Sequence, residues 1–227
     1  MEILLSAATS FEIQPTIDHL NRNEPSVSVT SLITGVGGLA TSYALTRQIG
    51  ASRPDIVVQA GIAGCFSDKA AGEVLVVSEE VLADLGVWED QRFKSLFDLK
   101  LADPDNFPFS GGLLVNPHAS LLALTGLEPV RGMTVNEITT DAARMSWHQQ
   151  NTAAVVESME GGPFHYVCLQ SGIPFLQMRA VSNAVGVRDK TKWNIPLAIA
   201  RLNEELIVLL EKLEKNEILP WLQSLSK

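Results

Sequence analysis

The stretch IPFLQMRAVSN, residues 173–183, opens as an apolar run behind Gly172 and closes on polar side chains. The run has the composition of a strand buried on both faces. It then delivers Arg179, Ser182 and the uncharged amide Asn183 to its carboxyl end. Ligands of open α/β sheets collect at the carboxyl ends of strands. A buried strand ending this way reads as a ligand-binding strand, and the chemistry of Asn183 reports what is bound.

Outward from this strand the pattern alternates. EILLSAA (2–8) is a strand, residues 10–21 are helical, VSVTSLITG (27–35) is a strand and GGLATSYALTRQIG (37–50) a helix. DIVVQAGIAG (55–64) is a strand running into a glycine-rich turn, and GEVLVVSEEVLADLGV (72–87) is one or two strands. Residues 88–112 carry aromatics, Pro and Gly without a period and are expected to form a long loop. Beyond them PVRGMTV (129–135) is a strand, TTDAARMSWHQQ (139–150) a helix, TAAVVESM (152–159) a strand and EGGPFHYVCLQSG (160–172) a helix. NIPLAIARLNEELIVLLEKLEK (194–215) is a long amphipathic helix. This alternation predicts an α/β sandwich with a mostly parallel or mixed central sheet, in one domain over residues 1–227.

Bulk composition excludes several classes of function. The 227 residues are 46% hydrophobic and 19% charged, enough to bury a large core. A net charge of −9 without a basic stripe argues against nucleic-acid partners. Cys65 and Cys168 stand alone, without metal-ligand spacing, and are expected to be buried reduced thiols. The four histidines show no metal spacing either, so no metal is expected. The start MEILLSAATSFEI lacks the marks of a signal peptide, and no apolar run is long enough to span a bilayer. A cytoplasmic protein without a membrane partner is expected.

Each candidate residue has a structural and a functional reading. Thr9 to Glu12 fits a helix capping box, yet Glu12 is also a carboxylate at a strand's carboxyl end, placed to activate water. Gly61, Ile62, Ala63 and Gly64 make a turn that allows close backbone approach, or a common glycine turn. Glu160 enters a helix's first turn, where the dipole favours it; beside Gly161 and Gly162 it also suits the hydroxyls of a ribose. Asn183 caps a turn or reads a ligand. Arg188, Lys190 and Lys192 form a basic knot that is either a solvated loop or an anion contact.

Taken together, Glu12, the Gly61 to Gly64 segment, Ser158-Met159-Glu160 and Arg179-Ala180-Val181-Ser182-Asn183 resemble the motifs of the nucleoside phosphorylase and nucleosidase family, in order and spacing. The resemblance implies a three-layer α/β/α sandwich with a mixed central sheet and hydrolysis of an N-glycosidic bond without a cofactor. It assigns Glu12 as the base that activates water. Glu160, with Ser158 and Met159, holds the sugar, and Arg179 orders water and carboxylates. Asn183 contacts the purine, and the glycine segment lines the pocket. Two departures matter: Ile62 stands where methylthioadenosine nucleosidases commonly carry Ser, and Asn183 replaces their purine-binding aspartate. An Asn amide donates to O6 and accepts from a protonated N7, which suits a 6-oxopurine. The basic knot, with Trp193, would attract a carboxylate on the substrate.

The expected partners are a small nucleoside and water, with a second copy of the chain in a homodimer or larger assembly. Trp88, Phe93, Phe97, Phe107 and Phe109 are the candidate surface for that contact, or else core packing. Alternatives are a methylthioadenosine-type nucleosidase, disfavoured by Asn183, and a purine nucleoside phosphorylase, disfavoured because AATSFE (7–12) lacks a basic residue for phosphate. A silent nucleoside-binding regulator on the same fold is the non-enzymatic alternative.

Overall fold

The computed structural model describes residues 1–23 and 27–215; the remaining parts of the 1–227 expectation lie outside the described residues. In chain order the main elements are β1 (Glu2–Ala7), α1 (Ser10–Asn23), β2 (Ser28–Ile33), α2 (Gly38–Ala51), β3 (Ile56–Cys65) and β4 (Val74–Leu82). A hairpin, β5 (Gly86–Glu89) and β6 (Arg92–Ser95), precedes β7 (Leu114–Val115) and α3 (Ala119–Thr125). Then come β8 (Pro129–Thr134), α4 (Ala142–Asn151), β9 (Val156–Ser158), α5 (Gly161–Ser171), β10 (Phe175–Ala184) and α6 (Ile195–Glu214).

The eight-stranded sheet runs β10-β4-β8-β9-β3-β1-β2, with β7 on β4 and a further pairing of β10 with β3. The sheet therefore curls until β10 meets β3. It is mixed: β1, β2, β3 and β10 run parallel to their neighbours in that group, whereas β4 meets β10 and β9 meets β3 antiparallel. This is the α/β sandwich that the alternation predicts.

Side chains alternate across the sheet with period two, and so do its layers. Ile3, Leu5, Ile56, Val58, Leu176 and Met178 face one core with Ile13 of α1 and Leu202, Leu206 and Leu209 of α6. Leu4, Val57 and Phe175 face the other, with Leu45 of α2 and Phe164 and Val167 of α5. Two residues along from Val57 and Phe175, that second face turns polar, with Gln59 and Gln177 both buried. Two further on stand Gly61 and Arg179, which are register partners. The apolar stripe thus becomes a buried polar one as it approaches the carboxyl ends.

Two expectations are corrected, the Gly61 to Gly64 turn and the loop over residues 88–112. Gly61 to Gly64 is no turn but the second half of β3, paired with β10 and at Gly64 with β9. Glycine serves there to clear space: a Cβ on Gly61 would lie 2.4 Å from Arg179 Nη1 and 2.9 Å from Glu12 Oε1. Residues 88–112 are not all loop, since Trp88 and Phe93 pair across the β5–β6 hairpin. Both rings pack edge-on to Trp147 of α4, at 5.9 and 5.7 Å, and Phe97 packs on Phe109 at 5.1 Å. Four of the five aromatics proposed as an interaction surface are therefore half-buried within the chain, and only Phe107 is exposed. Among the described residues no helix is long and apolar enough to cross a membrane.

Gly61→Ala is expected to destabilise the protein by about 1–3 kcal/mol, because the methyl group has only a fixed guanidinium and a fixed carboxylate to displace. Denaturant unfolding checks this; a midpoint equal to the wild type would mean that Arg179 is free to move aside.

Candidate active site

Where β1 passes into α1, Glu12 serves two neighbours at once. Its Oε2 accepts the Thr9 backbone N–H and the Thr9 hydroxyl, both at 3.0 Å, as a capping box requires. Its Oε1 accepts the Ile62 N–H at 3.1 Å, reaching across to β3. The two readings of Glu12 are compatible, since it closes a helix and also lines a cavity while only 7% exposed. Asn203 of α6 braces this corner, donating to the Glu12 carbonyl at 2.9 Å and accepting from the Thr16 N–H at 2.9 Å.

Glu160 is the N-cap residue of α5. Its Oε1 accepts the Gly37 N–H at 3.0 Å, and its Oε2 lies 3.5 Å from Arg179 Nη1. Arg179, 1% exposed, donates from Nη2 to Gln59 Oε1 at 2.9 Å and is held beneath the cavity rather than within it. The strand of the opening stretch carries an arginine because a carboxylate buried to 6% exposure needs a countercharge.

Behind this pair lies a third carboxyl, Glu80 of β4, fully buried. It accepts from Gln177 Nε2 at 2.8 Å and from the Thr134 hydroxyl at 3.0 Å, and Thr134 in turn accepts the Gly162 N–H at 2.6 Å. Gly132 and Gly161 make room for it, since a Cβ on either would collide with Glu80 Oε1. Burial pushes Glu80 up to about 7, against the opposing pull of Gln177, Arg179 and Thr134. Burial likewise lowers His165 of α5 to about 3, so it is neutral; its Nδ1 lies 3.0 Å from the Leu114 carbonyl.

Glu12 and Glu160 face one cavity of about 400 Å³, lined as well by Ile62, Ala63, Gly64, Ser158, Met159 and Asn183. Ser158 uses its hydroxyl to accept the Gly161 N–H at 3.3 Å, at the first residue of α5. Asn183, half-buried, accepts from the Ser182 hydroxyl at 2.7 Å and donates to the Ala184 carbonyl at 2.8 Å. Of the basic knot, Arg188 lines the cavity and stacks 5.6 Å from the Trp193 ring, whose indole N–H donates to the Val187 carbonyl. Lys190 and Lys192 sit on an exposed 3-10 turn capped by Asp189 and do not line the cavity. Phe11, Val36, Ile138 and Glu157 also line it, and none of them was anticipated. Two polar residues inside apolar runs, Gln59 in DIVVQAG and Gln177 in IPFLQM, were the available signal for the buried network.

The structure of 5′-methylthioadenosine/S-adenosylhomocysteine nucleosidase from Helicobacter pylori with butyl-thio-DADMe-Immucillin-A superposes with a TM-score of 0.78, at 16% identity, covering 93% of this chain and 98% of that one. The native structure of futalosine hydrolase of Helicobacter pylori gives 0.74, also at 16% identity, with the same coverage. Fold and relatives together define the class: an N-glycosyl hydrolase. The Phosphorylase superfamily model matches residues 23–213, and the chain belongs to that superfamily. Curated relatives include futalosine hydrolase of Acidothermus cellulolyticus, 32% identical over 181 residues (78% of this chain, 73% of that protein). Futalosine hydrolase of Streptomyces coelicolor is 35% identical over 162 residues (70% and 67%). The 5′-methylthioadenosine/S-adenosylhomocysteine nucleosidase of Shewanella oneidensis is 27% identical over 192 residues (82% and 80%).

The raised pKa of Glu80 has a thermodynamic consequence. Below pH 4.5 its carboxyl is protonated folded or unfolded; between 4.5 and about 7 only the unfolded chain releases the proton, so stability falls as pH rises and then levels off. Glu80→Gln removes that fall. Its stability relative to wild type is expected to improve by about 3 kcal/mol between pH 4.5 and pH 8. Urea unfolding at the two pH values measures this, and a pH-independent difference would contradict it.

Proposed function

We propose that this protein hydrolyses the N-glycosidic bond of futalosine, releasing hypoxanthine in menaquinone biosynthesis. The observation that carries the reading is one cavity with Glu12 and Glu160 facing it and Asn183, rather than a carboxylate, at the carboxyl end of β10. Similarity to three futalosine hydrolases, at 31–35% identity, supports the choice of substrate.

In the proposed reaction the C1′–N9 bond breaks first, leaving positive charge on the sugar and negative charge on the purine. Glu160, with Met159 against the sugar, accepts hydrogen bonds from the ribose hydroxyls. Its charge and that of Glu12 stabilise the cationic sugar as it forms. Glu12 takes a proton from the water that attacks C1′, while the bonds from Thr9 and Ile62 hold the carboxylate in place. Arg179 lies beneath Glu160, its Nη1 3.5 Å from Oε2, as a countercharge. The departing purine takes its proton at N7 from a water molecule, and Asn183 donates to O6 and accepts from the N7–H so formed; a 6-aminopurine would leave that pairing unmet. Among the described residues lining the cavity, Arg188 is the only basic one, which fits a single carboxylate on the substrate better than a phosphate co-substrate.

Purified protein is expected to release hypoxanthine from futalosine without phosphate, with little turnover of inosine or methylthioadenosine. Glu12→Gln should lower kcat by roughly 10²–10⁴-fold. A requirement for phosphate, or a preference for methylthioadenosine, would overturn the reading.

We also propose that a second copy of the chain covers the mouth of the cavity. Phe11 and Val36, both at the cavity, are 61% and 58% exposed, and Leu39 and Tyr43, one helical turn apart on α2, are 88% and 69% exposed. Light scattering is expected to give a dimer or larger assembly that Leu39→Glu weakens. A monomeric wild type would remove the proposal.

A further inference from the structure

Glu157 is unused by the chemistry above, yet it lines the same cavity at 7% exposure. Its Oε1 accepts the Thr139 N–H at 3.2 Å. Among the described residues its Oε2 has no hydrogen-bond partner, and it is out of contact with solvent. Burial holds its pKa above the ordinary carboxylate range, with the Thr139 bonds opposing the shift and Asp84 adding to it. A buried carboxylate oxygen left unpaired is costly, and a ligand bringing an N–H would relieve that cost.

The register of the sheet shows where such a ligand group would come from. Gly64 of β3 is the partner of Glu157 on β9 and, on its other side, of Asn183 on β10. A bulge after Val181 sets Asn183 into this rung, and Asn183 and Glu157 line the same cavity on either side of a residue that has no side chain. A Cβ on Gly64 would meet Asn183 Nδ2 at 3.6 Å and Val185 at 3.0 Å; glycine keeps the floor between them clear. Strands lie about 4.8 Å apart, which sets Asn183 and Glu157 roughly 10 Å apart at their backbones. Side chains rising from that spacing can meet adjacent edges of one purine ring.

We propose that Glu157 is a second base-reading residue, whose carboxylate accepts the N1–H of a 6-oxopurine while Asn183 meets its O6 and N7. The inference rests on the nucleosidase reading above and deepens it. The two residues then exclude adenine by different atoms. Asn183 mismatches the 6-amino group and Glu157 mismatches N1, which in adenine is an acceptor without a proton. The Thr139 N–H holds the carboxylate toward the rung, so the acceptor is in position before the ligand arrives.

The test is Glu157→Gln, which keeps the shape and presents an N–H donor in place of an acceptor. Specificity constants are measured for futalosine and for its 6-amino analogue, alongside direct binding of hypoxanthine and adenine. For futalosine, kcat/KM is expected to fall roughly 10²-fold, and the ratio of 6-amino to 6-oxo turnover to rise at least about tenfold. Glu157→Asp, which retains an acceptor, should recover part of the 6-oxo preference; a residue serving only the fold would not show this pattern. Thermal melts establish that each variant is folded, and if E157Q is not, the ratio in E157D decides: a 6-oxo preference reduced from the wild type but not abolished is the expected result, and one equal to the wild type overturns the inference. If the wild type hydrolyses futalosine and the folded variant keeps the same ratio, this inference alone is overturned. If the wild type hydrolyses no 6-oxopurine nucleoside, the proposed function fails and this inference fails with it.

Discussion

The ion pair between Arg179 and Glu160 is the constraint around which the rest of the site is arranged. Both groups are almost wholly withdrawn from water, where an unpaired charge is costly and a paired one is far less so. Their coexistence dictates much of the surrounding sequence. Gly61 is a glycine because the guanidinium occupies the volume of its side chain. Gln59 is an amide because Arg179 has further N–H groups to satisfy. Strands β3 and β10 must run parallel in register so that Gly61 meets Arg179, and a bulge after Val181 then shifts the register by one residue and brings Gly64 beside Asn183. The glycine pair at the start of α5 has a related cause, since Gly161 and Gly162 leave space for the Glu80 and Leu82 side chains.

Charge is distributed by depth. Glu12 and Glu160, at the cavity wall, each receive backbone N–H groups that hold them in place. Glu80, one layer deeper, is bonded mainly by neutral side chains, and burial prevails there. A second carboxylate charge beneath Arg179 would compete with Glu160 for the same guanidinium. Keeping Glu80 proton-bearing through most of the acid range leaves that guanidinium to the cavity.

Long periodic segments were legible in the sequence because both faces of β1, β3 and β10 meet apolar helices. Ile3, Leu5 and Leu4 reach opposite cores from one short run. The β5–β6 hairpin was not legible, because its stability comes from Trp147, some fifty residues downstream, and no local period records that. Glycines at 61 and 64 were mistaken for a turn for a related reason: what crowds them is Arg179 and Val185, on a strand distant in sequence. At the site, residue types at strand ends suggested which side chains converge, but spacing could not divide Arg188 from Lys190 and Lys192. The local Asp189 cap and the Trp193 ring make that division. Glu157 lay in plain view beside Met159, yet its orphaned oxygen is a property of packing, and no sequence pattern expresses it.

The two oxygens of Glu12 tie the history of the enzyme to its fold. One oxygen closes the first turn of α1 whether or not any substrate is ever bound. A descendant that abandoned the reaction would still be selected to keep this glutamate for the sake of its helix. Finding the residue in a distant homologue is therefore poor testimony to turnover. Asn183, bonded only to its own neighbours in the chain, has no such second employment. It is free to drift when the substrate changes, and is the better witness to what a given lineage binds.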